Sequence, residues 1–282
     1  MTTKKIMIFD SGAGGLSVAS EILNALPWLN IDYVADLEGF PYGILPNYQL
    51  EQRVTTIVRH LVTQDKNITL VVIACNTAST VILDCLRSTF PQIEFVGVVP
   101  AIKPAVSLSK SGVIGLLATA ATVKRPYTDQ LIKKYANNTT VLPFGSETLV
   151  IQAENFARKQ NIDQELISRE IRLFLDHPKA SHMDTLILAC THFPLIDKQI
   201  KHALMGQDIR LVDSGEAIAR RVASLISTDL GASPEKEAAK VSILLTPCDN
   251  IDEAGINYAR CLKDRTTCEL DITARPLLIQ HQ

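Results

Sequence analysis

Residues 70–79 read Leu70-Val-Val-Ile-Ala-Cys75-Asn-Thr-Ala-Ser79, an apolar run that passes into polar residues and then into a helical pattern. Similar apolar runs, each followed by a turn and an amphipathic stretch, occur at residues 6–9, 95–99, 112–117 and 185–189. Continuous apolar strands between amphipathic helices are typical of a parallel sheet that is covered on both faces. The sequence therefore predicts the α/β class with mainly parallel sheets.

One of these runs repeats the order of residues 70–79. Residues 185–194 read Thr185-Leu-Ile-Leu-Ala-Cys190-Thr-His-Phe-Pro194, again an apolar strand, Ala-Cys, polar residues and a helical stretch. One cysteine in each copy predicts two similar α/β lobes that face each other. We assign residues 1–99 plus 210–282 to the first lobe and residues 100–209 to the second, because a strand ends at Val99-Pro100 and the chain can return near Leu211. The last fifty or so residues have a weak pattern, and we predict no role for them.

The composition limits the classes of protein. The 282 residues are 46% hydrophobic, which suffices for one large or two medium domains. The 28 basic and 30 acidic residues include no Lys/Arg block, so we expect no nucleic-acid partner. The apolar run at residues 6–9 is too short for a signal peptide, and no stretch has membrane-spanning length, so we expect a cytoplasmic protein without a membrane partner.

The cysteine pattern indicates free thiols. A reducing compartment disfavours disulfides, and the absence of CxxC spacing disfavours a structural zinc site. We also find no cofactor-binding motif, so we expect neither cofactor nor metal. The six cysteines lie at positions 75, 85, 190, 248, 261 and 268.

Cys75 and Cys190 are candidate catalytic thiols because ligands bind at the carboxyl ends of parallel strands. A helix N-terminus lowers the pKa of a cysteine and favours its reactive thiolate. Asn76, Thr77 and Ser79 are typical helix-capping residues that can also donate hydrogen bonds to a carboxylate. A buried structural cysteine is the commoner explanation for one such residue, but two matching cysteines favour an acid/base pair.

Three further residues could assist these thiols. Asp10 begins the turn Asp10-Ser-Gly-Ala-Gly-Gly15, which fits neither a P-loop nor a dinucleotide fingerprint but places a carboxylate at a strand end. His192, two residues after Cys190, could polarise that thiol, although a lone histidine is more often a packing or capping residue. Glu154 fits a surface helix equally well.

Four motifs together resemble the glutamate racemase family: residues 10–16, Pro41-Tyr42-Gly43, residues 74–79 and residues 189–194. They stand in the family's order, and the resemblance covers roughly residues 6–226. It implies two α/β lobes with the active site in the cleft between them. It also implies cofactor-independent interconversion of L- and D-glutamate, which supplies D-glutamate for peptidoglycan in the bacterial cytoplasm.

The resemblance also implies roles for individual residues. Cys75 and Cys190 match the two catalytic acid/bases, Cys75 acting on D-glutamate and Cys190 on L-glutamate. Asp10, Glu154 and His192 match the groups that assist them, and Asp10 and His192 also contact substrate. The other substrate-binding positions are Ser11, Tyr42, Gly43, Asn76, Thr77 and Thr191. The chain departs from the family pattern at Pro46, Pro100-Ala101, Arg125 and Thr246-Pro-Cys-Asp249.

Inversion at Cα without a cofactor needs a base on one face of the substrate and an acid on the other. Hydrogen bonds to the substrate carboxylate in a water-poor site would stabilise the carbanion.

A racemase for aspartate or another amino acid and a non-catalytic binding protein remain alternatives. A thiol-redox protein is a third, which the lack of a nearby resolving cysteine disfavours. A homodimer is compatible with the sequence, which does not determine the oligomeric state.

Overall fold

The computed structural model describes residues 5–227 and 238–279. Helices and strands alternate along most of the chain, and short 3-10 helices occur between them. The strands are β1 (Lys5–Asp10), β2 (Asn30–Ala35), β3 (Ile68–Ile73), β4 (Glu94–Gly97), β5 (Val113–Ala118), β6 (Thr140–Gly145), β7 (Thr185–Leu188), β8 (Arg210–Val212), β9 (Ala239–Leu245) and β10 (Leu270–Pro276). The α-helices are α1 (Gly15–Ala25), α2 (Asn47–Gln64), α3 (Asn76–Thr89), α4 (Ile102–Leu108), α5 (Ala120–Val123), α6 (Pro126–Tyr135), α7 (Glu147–Ala157), α8 (Gln164–Leu175), α9 (Asp197–Ala203), α10 (Gly215–Ser227) and α11 (Ile251–Lys263).

The chain forms two compact units. Unit 1 comprises Met1–Val98 and Gly215–Gln282, and unit 2 comprises Val99–Ser214. Unit 1 contains a six-stranded sheet in the order β10-β9-β2-β1-β3-β4, and unit 2 a four-stranded sheet in the order β6-β5-β7-β8. The strand pairs in both sheets are parallel. The predicted α/β class with parallel sheets is confirmed.

The core of unit 1 explains why its central strands are continuously apolar. Helices α2 and α3 pack on one face of the sheet, while α1 packs against α10 and α11. On α2, Leu50, Val54, Ile57 and Leu61 recur at helical spacing and are buried against the sheet. Each such side chain stabilises the fold by about 1.5–3 kcal/mol, so truncation of Ile57 to alanine should cost about 2–5 kcal/mol.

In unit 2, one carboxylate fixes the chain where β7 begins. Asp184 accepts hydrogen bonds from Ser109 Oγ at 2.7 Å, from the backbone N–H groups of Lys110 and Ser111 at 2.6 and 2.7 Å, and from Thr185 Oγ1 at 3.0 Å. Burial alone would raise the pKa of Asp184, but these donors lower it overall. The carboxylate therefore holds the turn that precedes β5.

The weakly patterned end of the chain also has regular structure. β9 and β10 extend the first sheet, and α11 lies between them in sequence and packs on both. β2, β6 and β8 likewise lie outside the apolar runs on which the class was predicted. Among the described residues, we find no helix with the length and apolar character needed to cross a bilayer.

Candidate active site

Asp10 is the last residue of β1, and Cys75 lies two residues after the neighbouring strand β3. Phe9 pairs with Ile73 in the parallel register of β1 and β3, and Ala74 N donates to Phe9 O at 2.7 Å. Asp10 is buried, and its Oδ1 accepts hydrogen bonds from Ser11 Oγ at 3.2 Å and from Gly12 N at 3.1 Å. The backbones of these two predicted site residues therefore lie close together at the carboxyl edge of the sheet.

Gly15 allows α1 to begin close to these strand ends. A Cβ atom at Gly15 would lie 2.9 Å from the Cβ of Asp10 and 3.1 Å from the Cβ of Ala74. Both distances are shorter than ordinary carbon–carbon contacts of about 3.5–4.0 Å. A residue without a side chain is therefore needed where the glycine-rich turn enters the helix.

Cys75 is the N-cap residue of α3, and its side chain is only 7% exposed. The predicted capping by Asn76, Thr77 and Ser79 is wrong, because the helix has already begun at Asn76 and has no side-chain cap. Ser79 instead donates to the carbonyl of Ile73 at 2.8 Å. Asn76 and Thr77 lie buried in the first turn, directly after the thiol.

The amide group of Asn76 carries an unused donor. Its Nδ2 is buried, and it has no hydrogen-bond partner within residues 5–227 and 238–279. A buried N–H group without an acceptor costs about 1–3 kcal/mol, so each one needs an explanation. An anionic ligand oxygen beside Cys75 would satisfy it.

Tyr42 and Gly43 lie in a short 3-10 helix, Tyr42–Ile44. The Tyr42 ring is buried 6.3 Å from the ring of Phe9, and its hydroxyl donates to Asp36 Oδ2 at 2.5 Å. Burial first, then the negative charges of Asp36 and Cys75, raise the pKa of Tyr42 well above its ordinary value. The phenol therefore stays protonated and lies within electrostatic range of Cys75, whereas Gly43 is half-buried beside it.

In unit 2 the second cysteine follows its strand differently. Cys190 lies just after β7 and is also 7% exposed, but α9 begins only at Asp197. A 3-10 helix, Phe193–Ile196, intervenes, with Pro194 in its first turn and His192 as its N-cap. The predicted parallel between the two cysteines therefore ends at the strand, since an α-helix N-terminus supports only Cys75.

Cys190 instead heads a chain of polar side chains. His192 Nδ1 lies 3.9 Å from Cys190 Sγ, and His192 Nε2 lies 3.1 Å from Glu154 Oε2. Arg158 Nε donates to the other carboxylate oxygen of Glu154 at 2.7 Å. Glu154, on α7, is 3% exposed, so the surface-helix alternative is wrong. An imidazole placed between a thiol and a carboxylate can hold or pass a proton.

The predicted site residues fall into two sets, one in each unit. The six cysteines are free thiols. Among the described residues, no group of three or more His, Cys, Asp or Glu side chains is arranged to hold a metal ion. The set in unit 1 is Asp10, Ser11, Tyr42, Gly43, Cys75, Asn76 and Thr77; the set in unit 2 is Glu154, Cys190, Thr191 and His192.

Four polar residues next to these sets were not predicted. Asp36 accepts from Tyr42 and Arg158 donates to Glu154, whereas Arg53 and Thr246 donate to Asp36. Asp36 and Thr246 directly follow β2 and β9, at the same sheet edge as Asp10. The rule that parallel strands end at ligand sites could therefore have identified both of them. No local signal distinguishes Arg53, on α2, or Arg158, the C-cap residue of α7, from an ordinary surface arginine.

Comparison with known proteins places this arrangement in a family. A sequence model of the Asp/Glu/Hydantoin racemases matches residues 31–222. The chain belongs to that family. It is 48% identical to the glutamate racemase of Vibrio cholerae over 225 residues. This alignment covers 80% of this chain and 82% of the relative. It is 45% identical over 228 residues to that of Sodalis glossinidius, covering 81% of this chain and 77% of the relative.

A solved structure supports the same membership. The crystal structure of Escherichia coli glutamate racemase, in complex with L-glutamate and the activator UDP-MurNAc-ala, matches with a TM-score of 0.81 at 37% identity. The match covers 96% of this chain and 98% of that one. The predicted resemblance to glutamate racemases, and with it the assignment as an amino-acid racemase, is confirmed.

Proposed function

We propose that this protein interconverts L- and D-glutamate without a cofactor, with Cys75 and Cys190 as the two acid/bases. One observation carries the mechanism: both thiols are buried at carboxyl ends of parallel strands, and each belongs to a different unit. Each thiol also has its own assisting group, Asp10 next to Cys75 along the sheet edge and His192 beside Cys190. Inversion at Cα needs two such groups, and simple binding needs none.

The chemistry is a pair of proton transfers. The thiolate of one cysteine takes the Cα proton, and the electron pair moves toward the substrate carboxylate. The thiol of the other cysteine then gives a proton to the opposite face of Cα, which leaves its sulfur as the thiolate. For L-glutamate the base is Cys190 and the acid is Cys75, and for D-glutamate the roles are exchanged.

Two different devices tune the thiols in this proposal. The N-terminus of α3 favours the thiolate of Cys75, and the carboxylate of Asp10 receives or returns its proton. The imidazole of His192, which Glu154 holds in place, receives or returns the proton of Cys190. Burial keeps water from the carbanion and strengthens each hydrogen bond to it.

Neutral donors would hold the substrate. The unpartnered Nδ2 of Asn76 is one hydrogen-bond donor for a substrate carboxylate. The hydroxyls of Thr77 and Thr191 and the backbone N–H of Gly43 would supply others, and the Ser11 hydroxyl would do so by turning from Asp10 to the substrate. Donors without net charge orient a carboxylate and leave the balance of charge to the cysteines.

Single cysteine variants test the pair. Cys75→Ser and Cys190→Ser should each abolish racemisation of glutamate, followed by circular dichroism from either enantiomer. Elimination from a glutamate with a leaving group on Cβ needs only one base, because removal of the Cα proton and departure of the leaving group form the double bond. Cys190→Ser should then retain elimination on the D form, and Cys75→Ser on the L form.

Cys261→Ser is the matched control, since Cys261 is also a buried free thiol but lies on α11. It should racemise glutamate at the wild-type rate. Racemisation by either Cys75→Ser or Cys190→Ser at that rate would overturn the two-base mechanism. Elimination by both variants on the same enantiomer would overturn the assignment of faces.

The biological setting follows from the same proposal. Production of D-glutamate in the cytoplasm would supply peptidoglycan synthesis, and depletion of the protein should be rescued by external D-glutamate. A faster reaction with aspartate than with glutamate would favour the alternative substrate. The homodimer stays a prediction, which analytical ultracentrifugation of the full chain would check.

A further inference from the structure

An ion pair between a buried carboxylate, Asp36, and a half-buried arginine, Arg53, lies behind the Tyr42 segment of unit 1. Asp36 directly follows β2, is fully buried and accepts four hydrogen bonds. Its Oδ2 accepts from Tyr42 Oη and Arg53 Nε, both at 2.5 Å. Its Oδ1 accepts from Arg53 Nη2 at 2.7 Å and from Thr246 Oγ1 at 2.8 Å. One carboxylate thus joins a strand end, a helix, the end of β9 and the Tyr42 phenol.

The same groups hold the chain between Asp36 and Tyr42. Glu38 N donates to Thr246 Oγ1 at 3.0 Å, and the Glu38 carboxylate accepts from Arg53 Nη2 at 2.7 Å. A Cβ at Gly39 would lie 2.6 Å from both Arg53 Nε and Asp36 Oδ2, so the backbone passes directly over the ion pair. The segment is therefore fixed from both sides before it reaches Tyr42.

Thr246 joins the C-terminal part of the chain to this segment. Its backbone N donates to Ala35 O at 3.1 Å, which extends the pairing of β9 with β2 by one residue. Its hydroxyl donates to Asp36 and accepts from Glu38 N, so both of its hydrogen-bonding capacities are used. A valine would fill the same space and lose both contacts.

Burial of the Asp36 carboxylate is an inefficient way to stabilise unit 1, because its desolvation offsets much of its attraction to Arg53. Replacement of a buried ion pair by apolar side chains of similar volume is often neutral or stabilising. The arrangement does have geometric consequences, since a bidentate arginine and a fully bonded carboxylate each accept only a narrow range of partner positions. Such a network fits a role in positioning better than one in stability.

We propose that Asp36, Arg53 and Thr246 are positioning residues that hold Tyr42 and Gly43 where substrate binds. This inference rests on the proposed substrate-binding role of Tyr42 and Gly43. It gives the end of β9 a function, although Thr246 touches no substrate itself. Tyr42 and Cys75 belong to one cluster of buried side chains, so the positioned segment packs in the same core as the proposed reacting thiol.

The test replaces Thr246 by valine and by serine. Thr246→Val removes both hydrogen bonds and should raise KM for glutamate about five- to tenfold while kcat changes less, since a hydrogen bond of ordinary strength is lost from binding geometry. Thr246→Ser keeps the hydroxyl and should restore KM. Because the two enantiomers have equal free energy, kcat/KM should fall by the same factor in both directions.

Thr128→Val is the matched control. Thr128 is a fully buried threonine of unit 2 whose hydroxyl donates to Thr122 O at 2.7 Å, so its replacement also removes a buried hydroxyl but leaves the contacts of Asp36 intact. It should leave KM unchanged. If Thr246→Val does not fold, Arg53→Lys keeps the charge but loses the bidentate geometry, and it should raise KM in the same way.

Equal KM values for Thr246→Val and Thr128→Val, with an active wild type, would overturn the positioning role and leave the proposed function intact. A wild type that does not racemise glutamate would overturn the proposed function instead. In that case the Kd of glutamate, measured by titration calorimetry, decides the inference. Weaker binding by Thr246→Val supports it, and binding equal to that of Thr128→Val or no binding at all overturns it.

Discussion

Replacement of Glu154 by glutamine should slow the proton transfers at Cys190 and leave those at Cys75 unaffected. Glutamine has the shape of glutamate, so the variant keeps the packing of a buried side chain and removes its charge. The carboxylate accepts from His192 at 3.1 Å, and His192 in turn faces Cys190 at 3.9 Å. Loss of the charge therefore weakens the imidazole as a proton acceptor for the thiol.

The size of the effect follows from that one contact. A hydrogen bond to a charged group contributes about 1.5–3 kcal/mol. At about 1.4 kcal/mol for each factor of ten, kcat/KM should fall about 10- to 150-fold. Arg158, which donates to Glu154 at 2.7 Å, loses its ionic partner but is partly exposed, so water limits that cost.

Primary isotope effects assign the slowed step. Enantiomers have equal free energy, so kcat/KM must fall equally in both directions and cannot identify the affected thiol. With α-deuterated L-glutamate, deuterium leaves to Cys190, and the isotope effect on kcat/KM should rise because that transfer becomes more rate-limiting. With α-deuterated D-glutamate, deuterium leaves to Cys75, and the isotope effect should fall.

Glu170→Gln is the control, because Glu170 is a half-buried carboxylate of the same unit that accepts from Ser146 Oγ at 2.6 Å. It should change neither kcat/KM nor the isotope effects. A Glu154→Gln variant with reduced kcat/KM but wild-type isotope effects for both enantiomers would refute the reasoning, since binding rather than proton transfer would then have changed.

Three further predictions test other parts of the structure. Asp10→Asn should lower kcat/KM by ~10²–10⁴ with the opposite isotope signature, a larger effect from α-deuterated D-glutamate; a larger effect from the L form would contradict its pairing with Cys75. Gly15→Ala should lower the free energy of unfolding in urea by about 1–3 kcal/mol, because the new Cβ would lie 2.9 Å from that of Asp10; unchanged stability would show that α1 moves freely. The pKa of Asp184 is lowered from its ordinary 3.8, so its contribution to stability is present above about pH 4 and lost as pH falls further. Asp184→Asn should therefore cost about 1–3 kcal/mol at pH 7 and flatten the fall of Tm below pH 4, whereas exposed Asp208→Asn should do neither.

Four of the five strands predicted from sequence are buried along nearly their whole length. Residues of β1, β3, β5 and β7 form nearly unbroken apolar runs, and such runs indicate a parallel strand directly. β2 escapes this pattern because Asp32 interrupts it, and only the tertiary structure shows that Lys5 pairs with that carboxylate at 2.9 Å. β10 escapes it because the strand lies at the sheet edge and is largely exposed.

The candidate site divides in the same way. Cys75 and Cys190 could be identified because strand ends are local features, and both cysteines follow an apolar run directly. Glu154 could not be distinguished from a surface residue, because its burial depends on the packing of α7 against the chain near His192. Arg53 could not be identified either, because its partner Asp36 lies 17 residues away and is brought to it only by the fold.

In the proposed mechanism the two thiols carry out equivalent chemistry with different assisting groups, and the symmetry of the reaction explains why this is sufficient. Because L- and D-glutamate are equally stable, neither cysteine has to be the stronger acid. Each cysteine serves as the acid in one direction and as the base in the other. Each cysteine must therefore be able to exist as both thiol and thiolate, and different neighbouring groups can provide for this. A helix N-terminus with a neighbouring carboxylate can set it for Cys75, and an imidazole held by a buried carboxylate can set it for Cys190. On this mechanism, inversion requires one thiol on each face of Cα, and the repeated strand and cysteine in the sequence supply the two. The residues after each cysteine differ because either set of assisting groups meets the requirement.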